Sequence, residues 1–243
     1  MPGTRLVLGP AKPDPSAGHD DVEGVRQMKL FSFWRSLATF RVRIALNLKG
    51  LSPEVIDVNL MQGRQREEAY SKVNPQMLLP ALIDGEGPVL FQSLAIMEYL
   101  DETHPHPRLL PAEASARARA RALAQIVACD AHPLIVPRVR EFLEHEFKLD
   151  EAARTKWVHH WLGAALKALE TNLAGSKETG RFCQGNAITI ADICLASHAV
   201  GCNFFKLDLS PYPTVRRIVD ECMKNDAFAR AHPLKQPGAP ASI

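Results

Sequence analysis

The chain has 243 residues, 46% of them hydrophobic and 23% charged, with a formal net charge of +2. That balance fits a soluble globular protein of one or two domains with a substantial core, and it excludes several classes. No basic tract suits nucleic acid, and no apolar run approaches the roughly 20 residues that span a bilayer. The five cysteines, Cys129, Cys183, Cys194, Cys202 and Cys222, include no CxxC pair. A disulfide framework or zinc site is therefore not expected, and a reducing cytoplasm is.

Residues 1–27 are rich in Pro and Gly before residue 14 and then acidic at Asp20-Asp21-Val22-Glu23. Leu6-Val7-Leu8 is too short for the apolar core of a signal peptide. This stretch reads as a disordered extension, with Met28 opening the fold. Lys29 to Phe33 is a short strand, Trp34 to Thr39 a loop, and Phe40 to Lys49 a helix stopped by Gly50. Glu54 to Val58 is a second strand and Arg64 to Ser71 a short polar helix, broken at Asn74-Pro75. Pro80 sits at the mouth of the apolar run Ala81-Leu82-Ile83, where a proline fits a strand's first position. A cis bond is plausible there. Asp84-Gly85 reads as a hairpin turn, Val89 to Phe91 as the return, and Ser93 as the start of a helix to about Thr103. The order βαβαββα is that of a thioredoxin-like domain, covering residues 28–104.

The Pro-rich segment 105–114 reads as a linker. Residues 115–243 then read as all-helical. One helix runs from Ser115 to Ala131, the next segment is interrupted by Pro133 and Pro137, and Glu151 to Leu173 carries a core-facing stripe. Thr189-Ile190-Ala191-Asp192 is a capping box that opens a helix to about Asn203. A last helix follows Pro211-Tyr212-Pro213-Thr214 and ends near Lys224.

The proline-led strand suggests a binding function. A strand edge left open before Pro80 can pair with an extended peptide backbone. A helix N-terminus at Ser93 can hold a carboxylate. Together they suit a small acidic peptide; the alternative is an ordinary hairpin and helix cap.

Phe33-Trp34-Arg35-Ser36, Arg41 to Leu46, Gln92-Ser93-Leu94-Ala95-Ile96, Thr189 to Asp192 and Asp208 to Pro213 together resemble zeta-class glutathione transferases, as do His232-Pro233 and Gln236-Pro237. The likeness runs from Met28 to the end and is nearest to the bacterial maleylpyruvate and maleylacetoacetate isomerases. It implies glutathione as cofactor, a small electrophile as substrate, and a homodimer. Leu79, before Pro80, would pair its backbone with the cysteinyl part. Gln92 and Ser93 would hold the γ-glutamyl carboxylate, and Gln76 would meet the glycyl end. Ser36 falls at the family's catalytic serine, with Thr39 a second hydroxyl, or else a helix N-cap. A hydroxyl aimed at sulfur stabilises a thiolate, which a free thiol near pKa 8.5 scarcely supplies.

The implied reaction is either transfer of glutathione to an activated double bond or cis–trans isomerisation of that bond without net consumption. A divergent binding protein with little catalysis is the alternative. Two departures bear on this. Ala38 stands at the family's loop cysteine, which excludes a covalent role for a cysteine there. Phe204 stands at its substrate-carboxylate arginine. With Leu134, Ile135 and Val136 after His132-Pro133, Phe204 suggests a more apolar substrate. Otherwise Arg35 or Arg138 supplies the cation. His132 is either a substrate contact or structural. Cys202 is expected to be buried as a small apolar residue.

Overall fold

The computed structural model describes residues 27–241. The extension expected over 1–27 lies outside them except for Gln27. The first half contains β1 (Lys29–Ser32), α1 (Leu37–Lys49), β2 (Glu54–Asp57), α2 (Glu68–Ser71), β3 (Ala81–Ile83), β4 (Leu90–Phe91) and α3 (Ser93–Thr103). The strands form one sheet in the order β2-β1-β3-β4. β1 and β2 are parallel because α1 crosses between them, and the other pairs are antiparallel.

Three local differences from the sequence expectation have physical causes. α1 begins at Leu37 rather than Phe40, because Ser36 caps it and takes the Thr39 N–H at 3.1 Å. The polar stretch before Asn74 is not one helix. Asn59 caps a 3-10 turn (Leu60–Gln62), Gly63 takes φ 75°, a second 3-10 turn follows (Arg64–Arg66), and only Glu68–Ser71 is α-helical. The turn opened by Asp84-Gly85 runs on to residue 89, closed at Asp84 O by the Gly87 N–H (2.9 Å).

The second half is helical: α4 (Ala114–Gln125), α5 (His132–Ile135), α6 (Pro137–His145), α7 (Glu151–Ala174), α8 (Ile190–Phe204), α9 (Pro213–Met223) and α10 (Asp226–Ala231). The expected helix from Ser115 to Ala131 passes from α into π geometry at Ile126–Ala131. Pro133 sits in the first turn of α5 and is tolerated there. The break comes at Val136, extended at ψ 157°, with Pro137 as first residue of α6. Ending the last helix near Lys224 missed α10. The Asn225 side chain caps it at Ala227 N–H, 2.9 Å away, and Phe228 buries fully.

α8 is the hub, buried from Ile190 through Cys202. Its N-terminus carries the expected capping box. Asp192 accepts from Thr189 N (2.8 Å), Thr189 Oγ1 (2.9 Å) and Cys183 N (2.7 Å). α8 meets α1 at close range. α8 packs so closely on α1 that a Cβ on Gly201 would come within 2.8 Å of Leu37 Cδ1, and a larger residue there would have to turn the Leu37 side chain aside. The 105–114 segment is tied down by Asp101. Its carboxylate accepts from Leu109 N (2.7 Å), Leu110 N (3.1 Å) and Lys49 Nζ (2.7 Å). No helix among the described residues is long and apolar enough to cross a membrane.

Candidate active site

The loop after β1 is built around a buried arginine. Arg43 on α1 donates to Ser32 Oγ (3.2 Å), Phe33 O (3.4 Å), Trp34 O (3.2 Å) and Ala231 O (3.1 Å). Burial pulls its guanidinium down to about 9. Those bonds fix the backbone that leads into Ser36. Ser36 Oγ accepts from both Thr39 N (3.1 Å) and Thr39 Oγ1 (2.9 Å). With both lone pairs engaged, its own proton is left to donate outward. Thr39 is fully buried, so it reaches a ligand only through Ser36. Ser36, not Thr39, is the N-cap.

The strand-edge loop is organised by Asn74, which is itself buried. Its amide donates to Leu78 O (2.8 Å), its Oδ1 accepts from Gln76 N (3.1 Å), and Tyr70 Oη also donates to Leu78 O (2.6 Å). Leu79-Pro80 is cis, and strand pairing begins only at Ala81. Met77 (φ 55°) and Gln92 (φ 69°) lie in the left-handed region, unusual for side-chain-bearing residues and a mark of functional loops. Gln92 Nε2 donates to Gln76 Oε1 at 3.2 Å, bridging the two loops. Ser93 is the first residue of α3 and is buried there, among backbone N–H groups with no intrahelical acceptor.

These residues converge on a cavity of about 140 Å³ between the two halves of the molecule. Gln76, Leu79, Pro80, Gln92 and Ser93 line one side, and His132, Val136 and Arg138 the other. Ala38 also faces it, two residues from Ser36, which itself lies outside the lining. Leu134 and Ile135 do not line it, contrary to expectation. Ile135 turns into the core, and Leu134 is held at its carbonyl by Trp157 Nε1 (2.8 Å). Cys202 is buried, as expected. Phe204 lies outside the cavity lining as well, half-buried against the core, with the Arg35 guanidinium 5.6 Å from its ring centroid. Arg140 stacks likewise on Phe205 at 5.3 Å. Burial lowers the Arg140 pKa, and Arg35 and Arg154 add to that. A cation thus rests on each of these two neighbouring aromatic rings.

Sequence patterning did not single out Arg41 or Asn74 for the site. Arg41 lines the cavity although its side chain is almost wholly buried. Its Nε and Nη1 have no hydrogen-bond partner among the described residues. Its Nη2 lies 3.4 Å from His132 Nδ1. A guanidinium can only donate, so Nδ1 is the bare nitrogen and Nε2 carries the proton. Burial first, then Arg41 and His198, hold His132 well below the usual range. At neutral pH it is an uncharged N–H donor. The available signal was the pair Arg41 and Arg43 inside the apolar run Phe40 to Leu46, since charges buried there need a reason. A larger open depression at Asn203, Lys206, Asp208 and Arg216 contains none of the expected site residues. Among the described residues no group of three or more potential metal ligands comes together.

Residues 26–102 match the family model "Glutathione S-transferase, N-terminal domain". The chain is 45% identical over 210 residues to a maleylpyruvate isomerase of a Ralstonia species, covering 86% of this chain and 99% of that one. It is similar to the crystal structure of maleylacetoacetate isomerase from Methylobacterium extorquens AM1 with bound malonate and glutathione. That match has TM-score 0.86 and 52% identity, and covers 87% of this chain and 99% of the other. A holo maleylpyruvate isomerase described as a bacterial zeta-class enzyme matches with TM-score 0.85 and 43% identity, covering 87% and 100%. A thioredoxin-like half joined to a helical half, a cavity between them, and relatives matched over nearly their whole length lead to one conclusion: the chain belongs to the zeta-class glutathione transferases, the family of the maleylacetoacetate and maleylpyruvate isomerases.

Proposed function

We propose that this enzyme isomerises a small cis-unsaturated keto diacid, of the maleylpyruvate or maleylacetoacetate kind, with glutathione as cofactor. The observation that carries the reading is the set of cations at one cavity. Arg41 and Arg138 both line it, one from each half of the molecule. Cations lining a cavity favour a ligand that carries carboxylates.

The residues present fit glutathione. Leu79 offers backbone ahead of the paired strand. Ser93 and the first N–H groups of α3 suit a carboxylate, and the Gln76–Gln92 bridge flanks them. When bound, glutathione supplies the thiolate that adds to the double bond and later leaves it. Ser36 donates its free proton toward that sulfur. His132, neutral and protonated at Nε2, donates to the carbonyl oxygen on which charge develops. Arg138 orients a carboxylate from the cavity wall. The assembly we favour has residues 28–104 holding the cofactor and 115–243 holding the substrate. The enzyme would be cytoplasmic and homodimeric.

A second reading, turnover of a neutral enone, is favoured only by Phe204. The test is steady-state kinetics on maleylpyruvate with catalytic glutathione. Loss of one charge-assisted bond is worth about 1.5–3 kcal/mol, so Arg138→Met should lower kcat/KM by about one to two decades. An unchanged kcat/KM in a folded variant would remove Arg138 and the diacid reading with it.

A further inference from the structure

The helical wall of the cavity is one continuous face. Cys129, His132 and Val136 line it, while Val127, Ala131 and Ile135 turn into the core. The π turn Ile126–Ala131 sets this register, with the His132 N–H bonded to Val127 O five residues back. Two histidines flank Arg41 behind that wall, and they are held differently. His198 on α8 is committed at Nε2 to Leu162 O, 3.1 Å away. His132 instead turns Nδ1 to Arg41 Nη2, at 3.4 Å. A guanidinium offers a histidine nitrogen only a donor, so Nε2 is the nitrogen left for a cavity ligand. The other Arg41 nitrogens, Nε and Nη1, are wholly buried, and the Cys194 thiol of α8 lies beside the guanidinium. They are sheltered from anything bound in the cavity.

We propose that Arg41 is a positioning residue for the isomerisation: through Nη2 it fixes the orientation and tautomer of His132, and it acts by that bond rather than by touching substrate. The proposal rests on the reading above, in which His132 donates from Nε2 to the substrate carbonyl. The groups that face His132 are Arg41 from α1 and His198 from α8, with Cys129 and Arg138 around the cavity. A second proton on His132 would set Nδ1–H against the guanidinium. The ring therefore stays a neutral donor into mildly acid solution.

The experiment reads isotope-labelled histidine in the whole protein by nitrogen NMR, from about pH 7.5 to about pH 5.5, beside kinetics on maleylpyruvate. His132→Leu identifies the His132 signals. The expected ring is bare at Nδ1 and protonated at Nε2 throughout. Arg41→Met keeps the volume and removes donor and charge, an exchange that buried sites tolerate. It should raise the pH at which His132 titrates and lower kcat about tenfold, with both KM values within about twofold. Arg41→Lys, which keeps a charged donor, should hold the titration low and recover part of kcat. A proton on Nδ1 of the wild-type ring would overturn the proposal without any variant. So would a folded Arg41→Met with unchanged kcat and titration, which would show that Arg41 only packs. A rise in the diacid KM alone would overturn it too, because Arg41 would then meet the substrate itself. If Arg41→Met does not fold, the wild-type ring decides: bare at Nδ1 and neutral throughout supports the proposal, and titration near the ordinary 6.5 overturns it. If His132→Leu keeps full activity, the reading of His132 fails and this inference with it. If His132→Leu loses activity and Arg41→Met does not, only this inference fails.

Discussion

At the scale of single residues the site depends on which atom donates. Ser36 is useful because its acceptor capacity is already used by Thr39, leaving its proton free. The Thr39 side chain can be removed as a donor with its shape kept. Thr39→Val should leave glutathione affinity close to normal. It should raise the pKa of the bound thiol by up to about one unit, the equivalent of a neutral hydrogen bond of about 1 kcal/mol. Ultraviolet absorbance of the bound thiolate against pH reads this directly. An unshifted titration would mean that Thr39 only packs. Ser93 was read from the local pattern as a helix start, whereas the roles expected of Ser36 and Gln92 came from the family resemblance. Arg41 was less legible, because a pattern reading cannot say whether a buried charge will find a partner. Arg43 finds four oxygen acceptors and becomes structural, while Arg41, two residues earlier, keeps two nitrogens unpaired.

At the scale of elements, α8 sets both stability and its pH dependence. Its His198 is buried, and Nε2 lies 3.1 Å from Leu162 O. Desolvation lowers its pKa from 6.5 to about 4. The unfolded chain therefore binds a proton that the folded one does not, and stability falls as pH drops from 6.5 toward 4. Between pH 7 and pH 5 this group alone should remove about 2 kcal/mol. His132, shifted the same way, adds to the fall. Urea melts at the two pH values test this, with His198→Gln expected to recover the His198 share. Equal acid sensitivity in that variant would contradict the assignment. The capping box that opens α8 was legible because its spacing is local. The π turn before His132 was not, because an extra residue in a helix is set by what the helix packs against. α10 was missed for a similar reason: its six residues gain their stability from burial against α1, whose Asn47 and Arg43 donate to the Ala227 and Ala231 carbonyls.

At the scale of the whole molecule, the cavity exists because two halves meet at α1 and α8. Gly201 and Leu37 face each other across that contact. The order of elements announced the thioredoxin-like half, and the change to helices after the proline-rich segment announced the other. Which side chains the interface would aim inward could not be read along the chain. Val136 faces the cavity while its neighbour Ile135 is core, because the backbone turns between α5 and α6. The pairing of Arg35 with Phe204 is likewise a tertiary fact, and it lies outside the cavity lining. At this scale the proposed homodimer has its own check: sedimentation should give twice the 26.9 kDa chain mass at micromolar concentration, and a single-chain mass would refute it.

The central claim is that glutathione is a cofactor here and not a substrate, and that the turned-over molecule carries two carboxylates. The most direct test follows maleylpyruvate disappearance and free thiol together, with glutathione far below substrate, beside a neutral enone of similar size. The account predicts many turnovers of the diacid per glutathione with the thiol level unchanged, and a kcat/KM at least about tenfold above that for the enone. Loss of one thiol per turnover, or faster reaction of the enone, would contradict it.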